Sequence, residues 1–182
     1  MKKIKVLILD DLPTDFEKIC QSIMEINDEI KNSEFELVPF YDSYKSSKKL
    51  IANYVAYKKE STNLQDIFKD VVDEEVAKIK EESELISIID IKWDGKTGEH
   101  GCEFYCQFHD CFNDKNTIII TIVKKAKLPD KIKDIATITK NDPEPFGDKF
   151  KQELKNKLCK MPIIKNKLKN KNKTPLPGQP KE

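Results

Sequence analysis

Five short apolar runs alternate with amphipathic segments along most of the chain. The runs lie at 3–9, 35–41, 85–91, 117–123 and 134–140. A strand that is apolar at consecutive positions is typically buried on both faces, as in a parallel sheet. Strands that alternate with helices predict an α/β fold, in which a five-stranded parallel sheet carries helices on both faces. Pro39 in the second run predicts an edge strand, because proline cannot donate a ladder hydrogen bond.

Helical spacing of apolar residues predicts helices over 14–30, 101–113 and 148–169, and a longer helical region over 43–84. A polar break at 61–63 divides the longer region, so one helix in it is additional to the strand–helix repeat. Its second half carries an apolar stripe, which we expect to pack on the sheet or to form a partner or homodimer interface. The stripe consists of Leu64, Ile67, Phe68, Val71, Val72, Val76 and Ile79.

Charge is unevenly distributed, although the net charge of the 182 residues is only +1. Residues 149–182 contain 11 Lys and 2 Glu, so the rest of the chain is acidic. We expect one domain over 1–169, with 43–84 as a helical insert. Residues 170–182 are basic, contain Pro and Gly and have almost no apolar content, so they are expected to be a disordered tail.

Several function classes are disfavoured by composition. All 33 basic residues are Lys, and the absence of Arg removes the bidentate contacts typical of base readout, so nucleic-acid binding is not expected. The basic tail could still contact nucleic acid or an anionic surface, but a solvated end is the simpler interpretation. No apolar run approaches the length of a membrane span, and no signal peptide is apparent. Five unevenly spaced Cys fit reduced thiols and a cytoplasmic location.

Polar residues with related chemistry follow four of the predicted strands. Asp10 and Asp11, here called the acidic pair, follow the first strand, and Asp90 ends the third. Thr121 lies near the end of the fourth strand and Lys140 ends the fifth. If the strand order is 2-1-3-4-5, all of them converge on one crevice at the carboxyl edge of the sheet. Three carboxylates favour Mg²⁺, and a hydroxyl and an ammonium suit a phosphoryl group, so the set predicts phosphoryl transfer to a carboxylate.

At these positions the sequence resembles a bacterial response-regulator receiver domain. The resemblance lies in VLILDD, LISIIDIKWDG, IIITIV and ATITK, and in GCEF at 101–104 as the start of the family's third helix. It covers about 1–42 and 84–165. It implies a flavodoxin-like fold with strand order 2-1-3-4-5, in which the region between strands 2 and 3 is enlarged.

The resemblance also assigns roles to the polar residues. Asp90 would be the phosphoacceptor, and Mg²⁺ would be held by the acidic pair, Asp90 and the backbone carbonyl of Lys92. Thr121 would donate to a phosphoryl oxygen, and Lys140 would pair with it. The donor would be a histidine kinase or phosphotransfer protein, and signalling would pass through an unknown downstream protein. The chain would not be an enzyme beyond Mg²⁺-dependent self-phosphorylation and dephosphorylation.

Departures from the family pattern keep a second interpretation open. Asp90 lies 79 residues beyond Asp11, about twice the separation in the family. Ile122 is large where a small residue commonly follows the Thr, and Thr137 stands where an aromatic residue is expected. The fourth helix, between 124 and 133, is shrunken or absent. These features favour a pseudo-receiver, a binding module that no longer cycles phosphate.

Two other kinds of site match the sequence less well. Haloacid dehalogenase-type phosphatases also use Asp, Thr and Lys, but their nucleophile strand ends in D-x-D, whereas Leu12 occupies the third position here. A zinc site is conceivable in a dense group of candidate ligands, although closely spaced C-x-x-C pairs are missing and a core helix with buried thiols is the simpler interpretation. That group is His100, Cys102, Cys106, His109 and Cys111.

Overall fold

The sheet has five parallel strands in the order β2-β1-β3-β4-β5 in a computed structural model of the chain. The structure describes residues 2–31, 35–39, 44–81, 84–93, 100–122, 128–140 and 144–171. The strands are β1 (Lys2–Leu9), β2 (Phe35–Pro39), β3 (Leu85–Asp90), β4 (Thr117–Thr121) and β5 (Ala136–Thr139). This is the flavodoxin-like arrangement expected from the sequence, and β2 with its proline is an edge strand as predicted.

Helices cover both faces of the sheet. They are α1 (Pro13–Ile30), α2 (Tyr44–Lys59), α3 (Thr62–Lys80), α4 (His100–Gln107), α5 (Asp130–Lys133), α6 (Asp148–Lys160) and α7 (Pro162–Lys171). One apolar layer joins the sheet to α1, α6 and α7, and the other joins it to α2, α3, α4 and α5. Because both faces are covered, every residue of β3 and β4 is buried, and so is the second half of β1.

The enlarged region between β2 and β3 forms α2 and α3, which pack against each other, so the additional helix is confirmed. Leu50 and Tyr54 of α2 are fully buried in the apolar layer that joins the sheet to α2, α3, α4 and α5. The Ser47 hydroxyl donates to the Ile8 carbonyl at 2.6 Å, which ties the start of α2 to β1.

The apolar stripe of α3 is buried over only part of its length. Val72, Val76 and Ile79 are in the core, whereas Leu64 and Ile67 are 44% and 59% exposed. The C-terminal half of α3 therefore packs on the fold, and its N-terminal half presents apolar surface to solvent.

Helix ends differ from the sequence prediction in two places. The helix expected over 101–113 ends at Gln107 and is followed by a 3-10 turn at His109–Cys111. The helix expected over 148–169 divides at Met161, whose ψ of 136° is extended, because the residue before a proline avoids the helical region. The helix that the receiver pattern places fourth, and that we expected to be shrunken or absent between 124 and 133, is α5, which has four residues.

The expected tail lies almost wholly outside the described residues, since α7 ends at Lys171. Among the residues that the structure describes, none of the helices combines the length and apolar character that crossing a membrane requires.

Paired substitutions on α3 separate its packed half from its exposed half. We expect Val72→Asp to lower the free energy of unfolding by about 3 kcal/mol or more, because it places an unpaired charge in the core. Ile67→Asp, on the same helix but exposed, should change it by no more than about 0.5 kcal/mol. Urea denaturation of both variants tests this, and equal effects would contradict the packing of α3.

Candidate functional site

The acidic pair and Asp90 meet where β1 and β3 end. Asp10 directly follows β1 and is 0% exposed, and Asp90 is the last residue of β3 and is 4% exposed. The Asp10 Oδ1 accepts a hydrogen bond of 2.9 Å from the Leu12 N–H, which turns the chain into α1. One carboxylate oxygen each from Asp10, Asp11 and Asp90 lie within 4.8 Å of one another.

Lys140 lies among carboxylates at the end of β5. Its backbone N–H donates to the Thr121 carbonyl at 2.8 Å, which extends the β4–β5 ladder by one step and fixes where its side chain starts. Its Nζ lies 3.4 Å from Asp90 Oδ1, 3.5 Å from Asp10 Oδ2 and 2.7 Å from Asp15 Oδ2. The ammonium is therefore the cation that the buried carboxylates share in this arrangement.

Thr121 and Lys92 both lie near Asp90 in the fold. Thr121 is fully buried at the end of β4, the strand paired with β3, and lies one residue beyond Ile120, the partner of Asp90 in the register. The Lys92 backbone N–H donates to Asp90 Oδ2 at 3.1 Å. The metal-binding role of the Lys92 carbonyl and the phosphoryl-binding role of Thr121 stay predictions.

Gly101 lets α4 approach the backbone at the end of β3. A Cβ at this position would lie 2.1 Å from the Asp90 carbonyl oxygen and 2.8 Å from the Ile91 Cα. The Gly101 N–H donates to the Ile91 carbonyl at 3.2 Å. Any larger side chain would push α4 away from β3 or displace the backbone that carries Asp90.

Burial controls the acid–base behaviour of the site. It raises the pKa of Asp90 to about 7 and that of Asp10 to about 6, and Lys140 opposes both shifts only in part. Burial also raises the pKa of Asp11. Burial works against the positive charge of Lys140, but Asp90, Asp10 and Asp15 outweigh it and raise its pKa. The site thus favours a charged lysine beside carboxylates that resist full ionisation.

The donor set fits a hard divalent cation. Carboxylate oxygens at this spacing are the ligands that Mg²⁺ prefers, and Mg²⁺ needs only one or two of them directly. A dication would also offset the repulsion that raises the pKa values of neighbouring carboxylates. Asp10, Asp11 and Asp90 are therefore the residues that could hold Mg²⁺.

Sequence reasoning missed two residues of the site. Asp15, in the first turn of α1, makes the shortest contact to Lys140. The Phe146 ring lies with its centroid 5.2 Å from Lys140 Nζ. An acid in a first helical turn is common because it complements the helix dipole, so its presence in the sequence did not point to the crevice.

The zinc ligands considered from the sequence are not assembled. Within the described ranges, Asp10, Asp11 and Asp90 are the only group of three or more His, Cys, Asp or Glu side chains close enough to share one metal ion. His109 instead lies 2.9 Å from the Asp110 carboxylate, and His100 lies 3.4 Å from Glu103.

Comparisons of the chain with protein-family models, with curated proteins and with solved structures gave no significant match. The strand order 2-1-3-4-5 is compatible with a receiver fold.

Replacing Gly101 tests the close approach of α4 to β3. We expect Gly101→Ala to lower the free energy of unfolding by about 1–3 kcal/mol, because the new methyl group meets backbone rather than a movable side chain. Gly147→Ala is the control, since its Cβ would meet mainly the flexible Glu144 side chain, and it should cost less than about 1 kcal/mol. Thermal and urea unfolding measure both, and an equal loss would contradict the steric argument.

The buried carboxylates should make stability depend on pH in the absence of metal. Burial raises the pKa of Asp90 to about 7 in the folded state. Below the pKa of aspartate in the unfolded chain, Asp90 is protonated in both states and does not destabilise the fold. As pH rises from there to about 7, the unfolded chain releases this proton more readily than the folded state, so the folded state loses stability. In chelator, we expect the free energy of unfolding to fall by about 1 kcal/mol or more between pH 5.5 and 7.5. Mg²⁺ should restore it by binding the folded state.

Asp90→Asn checks the source of this dependence. The variant should melt at a higher temperature than the parent in chelator at pH 8, and its stability should change less with pH. Asp130→Asn is the matched control, because Asp130 is exposed and its pKa is lowered by the hydrogen bond from Lys133. If Asp90→Asn melts at or below the parent, Asp90 does not carry a buried, destabilising charge.

Proposed function

We propose that the chain is a response-regulator receiver, in which Asp90 accepts a phosphoryl group from a histidine kinase or phosphotransfer protein in the cytoplasm. The observation that carries the proposal is the convergence of buried Asp10, Asp90 and Lys140 at the carboxyl edge of a 2-1-3-4-5 sheet. Ligands of open α/β sheets bind at this edge. Asp11 completes the acidic set on the more exposed side.

In the proposed reaction, an Asp90 carboxylate oxygen forms a bond to phosphorus as the bond from phosphorus to the donor imidazole nitrogen breaks. The electron pair of the broken bond stays on that nitrogen. Mg²⁺, when bound, supplies positive charge that shields the carboxylates from one another and from the phosphoryl oxygens. Lys140 lies 3.4 Å from Asp90 and would pair with the added negative charge. Thr121 would donate its hydroxyl to a phosphoryl oxygen.

A protein donor fits the rim of the site. Leu12 and Ile122 directly follow Asp11 and Thr121 in the chain and are 50% and 55% exposed. Large apolar side chains beside a charged crevice are the kind of surface that a docking protein buries. A groove of about 340 Å³ also opens beside Asp11 and runs along α2 past Ile51 and Val55.

Output would pass through protein contacts. The exposed part of the α3 stripe, with Leu64 and Ile67, is the apolar surface that we propose for a downstream protein or a second copy.

A pseudo-receiver is the second candidate, and two observations favour it. Thr137 stands on β5 where a receiver is expected to carry an aromatic side chain. It is half-buried and donates its hydroxyl to the Ile135 carbonyl at 3.1 Å. This position therefore lacks the aromatic ring whose movement would signal phosphorylation. Lys140 Nζ lies closer to the Asp15 carboxylate than to the Asp90 carboxylate. Its charge is therefore already paired with a group other than the proposed acceptor. In this case the chain would bind Mg²⁺ or a partner without accepting phosphate.

Beryllofluoride, which mimics a phosphoryl group on Asp, distinguishes the two candidates. A receiver should bind beryllofluoride in calorimetry only when Mg²⁺ is present, and incubation with acetyl phosphate and Mg²⁺ should add one phosphoryl group by intact mass. Asp90→Asn should abolish both results, and Lys140→Ala should weaken beryllofluoride binding by about tenfold or more, because it removes a charge-assisted contact.

Asp130→Asn serves as the control and should behave as the parent. Mg²⁺ binding without a response to beryllofluoride or acetyl phosphate would overturn the receiver in favour of the pseudo-receiver. If neither Mg²⁺ nor beryllofluoride binds, phosphoryl chemistry at this site is wrong.

A further inference from the structure

Lys140 is bound more closely to α1 than to the acceptor. Its Nζ lies 2.7 Å from the Asp15 carboxylate, compared with 3.4 Å for Asp90 and 3.5 Å for Asp10. The Lys140 and Asp15 side chains are 9% and 17% exposed, so water screens their contact only weakly. The Phe146 ring also lies near the ammonium, at 5.2 Å. Lys140 therefore has a defined position in the absence of any phosphoryl group.

An anion on Asp90 would compete with Asp15 for the same ammonium. A short, charge-assisted contact in a mostly buried position is stronger than an exposed ion pair, so Lys140 has to weaken it to approach a new anion. The Asp15 carboxylate also repels an arriving anion through its own charge. Both effects oppose anion capture at Asp90.

The same contact has the opposite effect on a cation. While Asp15 holds Lys140, the ammonium stays at 3.4–3.5 Å from Asp90 and Asp10. Without Asp15, the ammonium would be free to move onto those carboxylates and compete with a metal ion for them. The added negative charge of Asp15 also favours a dication in the crevice. Asp15 therefore favours metal binding and disfavours anion binding.

We propose that Asp15 is a positioning residue that holds Lys140 on the α1 side of the crevice, and thereby strengthens binding of a divalent cation and weakens anion capture at Asp90. This inference rests on the proposed function of Asp90 as the acceptor. It adds a regulatory element that belongs to this chain's own first helix.

The test measures Mg²⁺ affinity alone, and beryllofluoride affinity at saturating Mg²⁺, both by calorimetry on the full chain. We expect Asp15→Asn to weaken Mg²⁺ binding by about three- to tenfold and to tighten beryllofluoride binding by a similar factor, as loss of one partly buried ion pair allows. Asp15→Glu keeps the charge and should restore both affinities towards the parent. Asp28→Asn is the control, because Asp28 lies on the same helix. It also forms a 2.7 Å ion pair, with Lys31, but that pair is exposed and lies at the other end of α1.

Opposite changes in the two affinities are the signature of the proposed role. A merely structural role would weaken both, because a distorted crevice binds neither ligand well, and melting curves of the variants identify such a distortion. If the parent binds both ligands and Asp15→Asn weakens both or changes neither, the role of Asp15 is wrong while Asp90 stays the proposed acceptor. If the parent does not bind beryllofluoride, the proposed function fails and this inference fails with it.

Discussion

Two carboxylates, Asp10 and Asp90, lie almost completely out of water at the carboxyl edge of the sheet, and the Lys140 ammonium lies 3.5 and 3.4 Å from them. Removing a charge from water is expensive unless it is paired, and one ammonium cannot fully compensate several carboxylates. Burial is the main cause of the raised pKa values of Asp10 and Asp90, and the Lys140 ammonium offsets it only in part. A divalent cation would supply positive charge to these carboxylates, so it fits the chemistry of the crevice better than a neutral ligand does.

The rest of the fold holds these groups in place with little freedom. β1 and β3 pair along their last residues, so Asp10 and Asp90 lie at neighbouring strand ends. The Leu12 N–H donates a hydrogen bond to the Asp10 carboxylate and so orients the Asp10 side chain. Gly101 allows α4 to pack directly against the backbone at Asp90 and Ile91. Contacts to backbone are hard to relax, so the fold limits how far the backbone segments that carry these carboxylates can move apart.

Much of this arrangement could be predicted from the sequence, because it depends on strand ends. Consecutive apolar residues identified the strands, and the edge position of Pro39 followed from its missing N–H. Once the strand order is known, Asp10, Asp90 and Lys140 have to meet, since parallel strands end at one edge. The sequence could not show Asp15, because it does not reveal which side of the first turn of α1 faces the crevice, and tertiary packing decides that.

The exposed half of α3 was unpredictable for a related reason. An amphipathic stripe shows which side of a helix is apolar, but not how much apolar surface the neighbouring elements offer. α3 packs mainly against α2. Val72, Val76 and Ile79 of its C-terminal half join the core, whereas Leu64 and Ile67 of its N-terminal half stay exposed. The division at Met161 depends on a local rule instead, the effect of Pro162 on the residue before it.

A lysine at position 140 can form ion pairs with several carboxylates at once. An arginine presents a rigid, planar fork that matches one carboxylate in two parallel hydrogen bonds. An ammonium is a compact charge with rotatable donors, and here it contacts Asp15, Asp10 and Asp90 at 2.7, 3.5 and 3.4 Å from a single nitrogen atom. Such a charge can shift between partners without breaking a paired geometry. In a chain without Arg, Lys140 is thus a side chain that suits the proposed exchange between Asp15 on α1 and an anion on Asp90.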